Sequence, residues 1–141
     1  MQIVKLQKEN IDNLYEIYAQ QFGSEAWTKQ QVLDSFNNPS CHFYGIVEND
    51  IIVSFVSTLE TLDDINILDI ATKNSYKNKG YAKALMQHII GLKKEGQTIS
   101  LEVKSKNIPA INLYESFGFK TLRIRKNYYK DGDNALCMFL M

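Results

Sequence analysis

The chain has 141 residues, 45% of them hydrophobic and 23% charged, with 16 basic residues balanced by 16 acidic ones. That length predicts one domain over 1–141 with a sizeable core, and the even charge argues against a strong nucleic-acid field or a polybasic membrane anchor. No apolar run approaches the ~18 residues of a membrane span, and MQIVKLQKEN lacks a signal-like apolar stretch, so the expected location is cytoplasmic with no membrane partner. Cys41 and Cys137 have neither CxxC spacing nor a cluster of histidines beside them, which predicts reduced thiols and no metal site.

Residues 2–6 alternate as a first strand. Ile11, Leu14, Tyr15, Tyr18 and Phe22 mark one face of a helix that ends near Gly23. The loop at 24–27 holds the only tryptophan; Trp27 reads either as a cap on the core or as the lining of a peptide site. Thr28 is placed to N-cap a helix over 29–36, which Asn37, Asn38 and Pro39 stop. Strands at 41–47 and 51–59 are joined by Glu48, Asn49 and Asp50 as a short hairpin, and 60–64 is a polar turn.

The chain is organised around 65–92. Ile65, Ile67, Leu68 and Ile70 form an apolar strand, a lysine-rich turn follows, and from Tyr81 the apolar positions 81, 82, 85, 86, 89 and 92 recur with a helical period. Gly80 therefore lies at a helix N-terminus, where unpaired amides and the helix dipole favour an anion. Gly80 and Ala82 would let a diphosphate approach closely, with Lys73, Lys77, Lys79 and Lys83 around the mouth. The same lysines also fit a solvated turn.

After a turn at 95–97, a second apolar strand covers 98–103, and a helix makes the connection natural for parallel strands. Asn107 is a plausible N-cap for a helix that tolerates Pro109 in its first turn, carries Ile111, Leu113, Tyr114 and Phe117 as its stripe, and stops at Gly118. Strands at 119–127 and 135–140 close the chain, with Asp131 and Gly132 as the turn between them. The order β-α-α-β-β-β-α-β-α-β-β predicts an α/β fold with a mixed sheet. Two polar residues stand out within it. Glu102 interrupts the apolar run 99–103: buried there, its carboxyl would be pushed upward and suit a general base, whereas a strand-end glutamate would simply face solvent. Tyr114 is either a core tyrosine with its hydroxyl at the rim or a phenol able to protonate a leaving group.

The spacing Lys77-x-x-Gly80-x-Ala82, between an apolar strand and an amphipathic helix, resembles the coenzyme A loop of the GNAT acetyltransferase superfamily, with Lys77 where the pattern has Arg or Gln. The run LEV-x-x-x-N-x-x-A-x-x-LYE-x-x-GF and the ending NYY-x-DG-x-x-A-L-x-M are similar to the RimI-like branch, which acts on the N-terminal alanine of a small-subunit ribosomal protein. Ala26-Trp27-Thr28 resembles that branch's Pro-Trp-Ser loop. The resemblance implies the GNAT fold, acetyl-CoA as cosubstrate and a protein or peptide N-terminus as acceptor. By that likeness Glu102 matches the general base, Tyr114 the general acid, and Asn107 an asparagine touching the cofactor. Ile70, Ala71 and Thr72 match the segment that pairs with pantetheine, and Lys77, Asn78, Lys79, Gly80, Tyr81 and Ala82 match the pyrophosphate loop.

Acetyl transfer needs an amine to lose a proton and a thiolate to gain one, so neither cysteine is required as a nucleophile. At neutral pH a lysine costs roughly 3.5 kcal/mol more to neutralise than an α-amine, from reference pKa values near 10.4 and 7.7–8.0. That difference favours a peptide N-terminus. Transfer to a small-molecule amine or a protein lysine is the alternative within the fold, and a non-catalytic acyl-CoA-binding module is the alternative outside it.

Overall fold

A computed structural model describes residues 2–141. The chain forms two compact units interleaved in sequence, one from residues up to 60 together with 68–92, the other from 61–67 together with 93–141. Among the described residues, seven strands and four α-helices make a mixed α/β fold.

The first unit holds strand β1 (Gln2–Lys5), helices α1 (Ile11–Phe22) and α2 (Lys29–Ser35), strands β2 (Cys41–Glu48) and β3 (Ile51–Glu60), the second half of β4 (Asp64–Thr72), and helix α3 (Tyr81–Leu92). Both β1 with β2 and β2 with β3 run antiparallel, and β4 follows β3 in the strand order. The hairpin between β2 and β3 turns on Asn49 and Asp50, at φ 52° and 63°, two left-handed residues that match the twist of the strands they join. Leu14, Ile17 and Tyr18 of α1, Val32 of α2, Phe43, Ile52, Phe55 and Ala71 make one apolar cluster. Asn13 fastens α1 to β3, its Nδ2 donating to Ile52 O at 3.2 Å while its Oδ1 accepts from Ile52 N at 2.8 Å. Thr28 caps α2 as expected: its Oγ1 accepts from Gln31 N and Gln31 Oε1 accepts from Thr28 N.

The second unit takes the first half of β4, then β5 (Thr98–Lys104), α4 (Ile108–Ser116), β6 (Lys120–Arg125) and β7 (Ala135–Leu140). Its strand order is β4-β5-β7-β6, with β5 parallel to β4 from the Asp64–Thr98 pair to the Ile67–Leu101 pair, and β7 antiparallel to both neighbours. Ile99, Leu101, Val103, Tyr114, Phe119, Ala135, Cys137 and Met138 are buried.

Three differences from expectation have physical causes. Short 3-10 turns occupy Lys8–Asn10, Gly23–Glu25 and Asn74–Tyr76, segments too short to show a period in the sequence. In α1 Leu14, Ile17 and Tyr18 are buried and Ile11, Tyr15 and Phe22 pack partly buried against the same cluster, so Ile17 joins the expected stripe. The last hairpin leaves β6 at Arg125 rather than 127, because Asn127 adopts φ 52° and its backbone N–H donates to Asn134 Oδ1 at 3.0 Å.

Candidate active site

In the first unit the anion-site candidates form a structured, exposed loop. Glu16 pairs with Lys73 at 3.2 Å, Asn74 N donates to Gln20 Oε1 at 3.1 Å, and Gln21 Nε2 donates to Asn74 Oδ1 at 2.7 Å, so α1 anchors the loop's start. Ile70 and Thr72 are half-buried and Ala71 buried at the end of β4, and Ser54 Oγ donates to Ala71 O at 2.9 Å. Lys77, Asn78, Lys79 and Gly80 are exposed; Asn78 and Gly80 take φ 63° and 83°. These two left-handed residues turn the chain sharply into α3, whose first intrahelical bond from Ala84 N returns to Gly80 O at 3.0 Å. The amides of Tyr81, Ala82 and Lys83 therefore precede the helical ladder. Apart from Gly80 and its two chain neighbours, no heavy atom lies within 4 Å of the position a Cβ on Gly80 would take, so the turn can admit a diphosphate against its backbone. Lys79 instead sits over the Tyr76 ring, 5.3 Å from its centroid. The residues present fit an anionic cofactor arm.

An acid that drew no attention in the sequence lies just ahead of this segment. Asp69 accepts from Tyr18 OH at 2.8 Å, and burial pushes its carboxyl up to about 6 while the hydrogen bond pulls the other way. Burial, then the charge of Asp69, drive the Tyr18 phenol well above its ordinary value. An acid inside the apolar run 67–70 was the signal that could have found it.

The second unit contains Glu102, Asn107 and Tyr114. In strand β5 Ile99, Leu101 and Val103 are buried on one face, and on the other Ser100 is buried while Glu102 is exposed. Of the two readings of Glu102, the solvent-facing one stands and the desolvated one does not: its side chain is 33% exposed, and Arg125 Nε lies 3.4 Å from its Oε2. A depression of about 210 Å³ surrounds it, lined by Asn66, Ser100, Arg123, Arg125, Cys137 and Phe139 among others. Neither arginine was singled out from the sequence. Asn66 Nδ2 donates to Ser100 Oγ at 2.9 Å, and Ser100 Oγ donates to Asp64 Oδ2 at 2.9 Å, which fixes the polar side of the depression.

Tyr114 is 6% exposed in α4 with its ring 6.1 Å from that of Phe119. Burial pushes the phenol up to about 12, so it stays protonated at neutral pH. Asn107 caps α4, its Oδ1 accepting from Ala110 N at 3.3 Å, which leaves Nδ2 as the group able to donate outward. The turn before α4 is held by Asp133, which accepts from Ser105 Oγ at 2.5 Å and Lys106 N at 3.3 Å. Cys41 is half-buried and Cys137 buried, both free thiols. Among the described residues no group of three metal-ligating side chains converges, and no helix is long and apolar enough to cross a membrane.

In the second unit, a buried phenol and a carboxylate on a strand are groups of the kind that acyl transfer to an amine uses. The family model for the acetyltransferase (GNAT) family matches residues 11–119. The chain belongs to this family. As a GNAT protein it is an acetyl-CoA-dependent N-acetyltransferase. It is 35% identical over 136 residues to a putative ribosomal protein bS18 alanine N-acetyltransferase of Bacillus subtilis (strain 168), covering 94% of this chain and 89% of that one. Identity to the ribosomal protein bS18 alanine N-acetyltransferase of Escherichia coli (strain K12) is 38% over 92 residues, 64% of this chain and 62% of the relative. The crystal structure of the ribosomal-protein-S18-alanine N-acetyltransferase from Escherichia coli superposes with a TM-score of 0.89 at 30% identity, over 99% of this GNAT chain and 92% of that one.

Proposed function

We propose that this GNAT chain transfers the acetyl group of acetyl-CoA to the N-terminal α-amine of a protein, with the N-terminal alanine of a small-subunit ribosomal protein as its acceptor. What supports the acceptor class most is the likeness, along 94% of the chain, to a relative whose name describes alanine N-acetylation of a ribosomal protein. The whole of 1–141 acts as one catalytic domain in this reading.

When bound, acetyl-CoA supplies an acetyl thioester as the electrophile. The peptide N–H and C=O groups of Ile70, Ala71 and Thr72 hold the pantetheine arm in the manner of an added strand. The turn from Lys77 through Asn78, Lys79, Gly80, Tyr81 and Ala82 binds the pyrophosphate through backbone amides and the helix dipole. Lys77 contributes its charge there, and its flexible ammonium replaces the planar fork an arginine would offer. Asn107 steadies the cofactor with its free amide nitrogen while capping α4.

Glu102 accepts the proton the amine gives up as its nitrogen bonds to the acetyl carbon. A backbone amide at 70–72 stabilises the charge on the acetyl oxygen. Tyr114, kept protonated by burial, gives its proton to the departing sulfur as the carbon–sulfur bond breaks. The half-exposed position of Glu102 suits contact with a solvated acceptor better than a sealed site would.

Mass spectrometry of a reaction with acetyl-CoA tests the proposal. Given an alanine-initiated ribosomal-protein peptide that also contains a lysine, the enzyme is expected to add one acetyl group at the α-amine and to leave the α-blocked peptide unmodified. Acetylation of the lysine or of small amines alone would contradict it.

A further inference from the structure

Strand β6 carries Lys120, Thr121, Leu122, Arg123, Ile124 and Arg125 in a row, all of them exposed. Its pairing with β7 shifts register between Thr121 and Arg123: Lys120 pairs with Phe139 and Thr121 with Met138, then Arg123 pairs with Cys137 and Arg125 with Ala135. Leu122 is thus the extra residue of a β-bulge. Without the bulge, strict alternation would put Leu122 and Ile124 on the face of Cys137 and Ala135, because a slip of one residue exchanges the two faces of a strand. Cys137 is also the partner of Glu102 across β5 and β7. The bulge therefore delivers two guanidinium groups, in place of two aliphatic side chains, to the face that carries Glu102.

Leu122 and Ile124 are left 58% and 53% exposed as a result. The resulting ion pair does not explain that arrangement, since its partners are 44% and 33% exposed and such pairs add little to stability. Geometry explains it better. Glu102 and Arg125 stand on strands about 10 Å apart, separated by β7, and are offset by two residues along them, so only a long side chain crossing small residues can close that gap. Ala135 and Cys137 are those small residues, and Arg125 Nε reaches Glu102 Oε2 at 3.4 Å. Behind it the Tyr128 ring stacks on the guanidinium, 5.4 Å from centroid to Cζ. Arg125 is held on both sides.

We infer that Arg125 is a positioning residue that fixes the Glu102 carboxylate for proton acceptance, placed there by the bulge at Leu122. The inference rests on the assignment of Glu102 as the base. It does not have Arg125 touch the acceptor or the cofactor.

A double-mutant cycle in the intact enzyme tests it, with kcat and acceptor KM measured at saturating acetyl-CoA for the parent, Arg125→Met, Arg125→Lys, Glu102→Gln and the Glu102→Gln/Arg125→Met double variant. Arg125→Met is expected to lower kcat roughly 10- to 100-fold with acceptor KM little changed, the scale of a misplaced catalytic group. Arg125→Lys is expected to recover most of that loss, and Arg125→Met is expected to change kcat less than about twofold once Glu102 is already glutamine. An equal loss in both backgrounds, a rise in KM at constant kcat, or parental turnover of Arg125→Met would overturn the inference while leaving an impaired Glu102→Gln intact. Parental turnover of Glu102→Gln would instead remove the base assignment and this inference with it.

Discussion

The loop at 77–82 and the face around Glu102 differ in what makes them competent. In the proposed reading the loop works through its backbone, φ values at Asn78 and Gly80 and the position of a helix start, while the side chains of Lys77, Asn78 and Lys79 are exposed. In the same reading the Glu102 face works through side chains set by strands far away in sequence, above all Arg125, whose Nε lies 3.4 Å from Glu102 Oε2. A backbone site is written in local residue order and a side-chain site in strand register. The two regions should therefore fail in different ways, one losing affinity and the other losing turnover.

The largest effects belong to the side-chain region. Glu102→Gln is expected to lower kcat about 10² to 10⁴-fold, the range a proton-transfer residue supplies, and Tyr114→Phe to lower it somewhat less, both with acetyl-CoA affinity nearly unchanged. Steady-state kinetics beside a binding titration measures both, and a loss that fell on affinity instead would erase the distinction between the regions.

Next comes Asp69, which lies beside the cofactor segment yet belongs to stability. Its carboxyl sits at about 6 in the folded protein against an ordinary 3.8, so the protonated form is the one folding favours. That contribution is complete below the ordinary value and is lost as pH rises through the folded one. Relative to Asp69→Asn, the parent's unfolding free energy should fall by about 3 kcal/mol between roughly pH 4 and pH 7. Denaturant titrations of both proteins across that window measure the difference, and a flat difference would mean the carboxyl ionises freely. The smallest effect is on the loop: Gly80→Asp sets a carboxylate against a pyrophosphate and strains a residue at φ 83°, for an expected loss of about tenfold in acetyl-CoA affinity at unchanged acceptor KM.

How much could be read from the sequence follows the same division. Helix α3, the Thr28 cap, the Asn49-Asp50 hairpin and the Gly80 turn are local patterns, and each stands where its residues placed it. Of the two readings that the run 99–103 leaves open for Glu102, the structure has the solvent-facing one: Ser100 on the same face is buried, but Glu102 nearer the strand's end is exposed. The desolvated carboxyl that is one of the two readings of 102 occurs instead at Asp69, where Tyr18 arrives from a helix 51 positions earlier. Arg123 and Arg125 were invisible for a different reason: their side of β6 is set by the bulge at Leu122, and nothing in TLRIRK announces a change of register.

Calorimetric titration of acetyl-CoA into the parent, Gly80→Asp and Glu102→Gln puts the division between binding and chemistry to its most direct test. The expected result is binding by the parent, equal binding by Glu102→Gln despite its slow turnover, and about tenfold weaker binding by Gly80→Asp. Parental affinity in Gly80→Asp, or affinity lost in Glu102→Gln, would contradict the account.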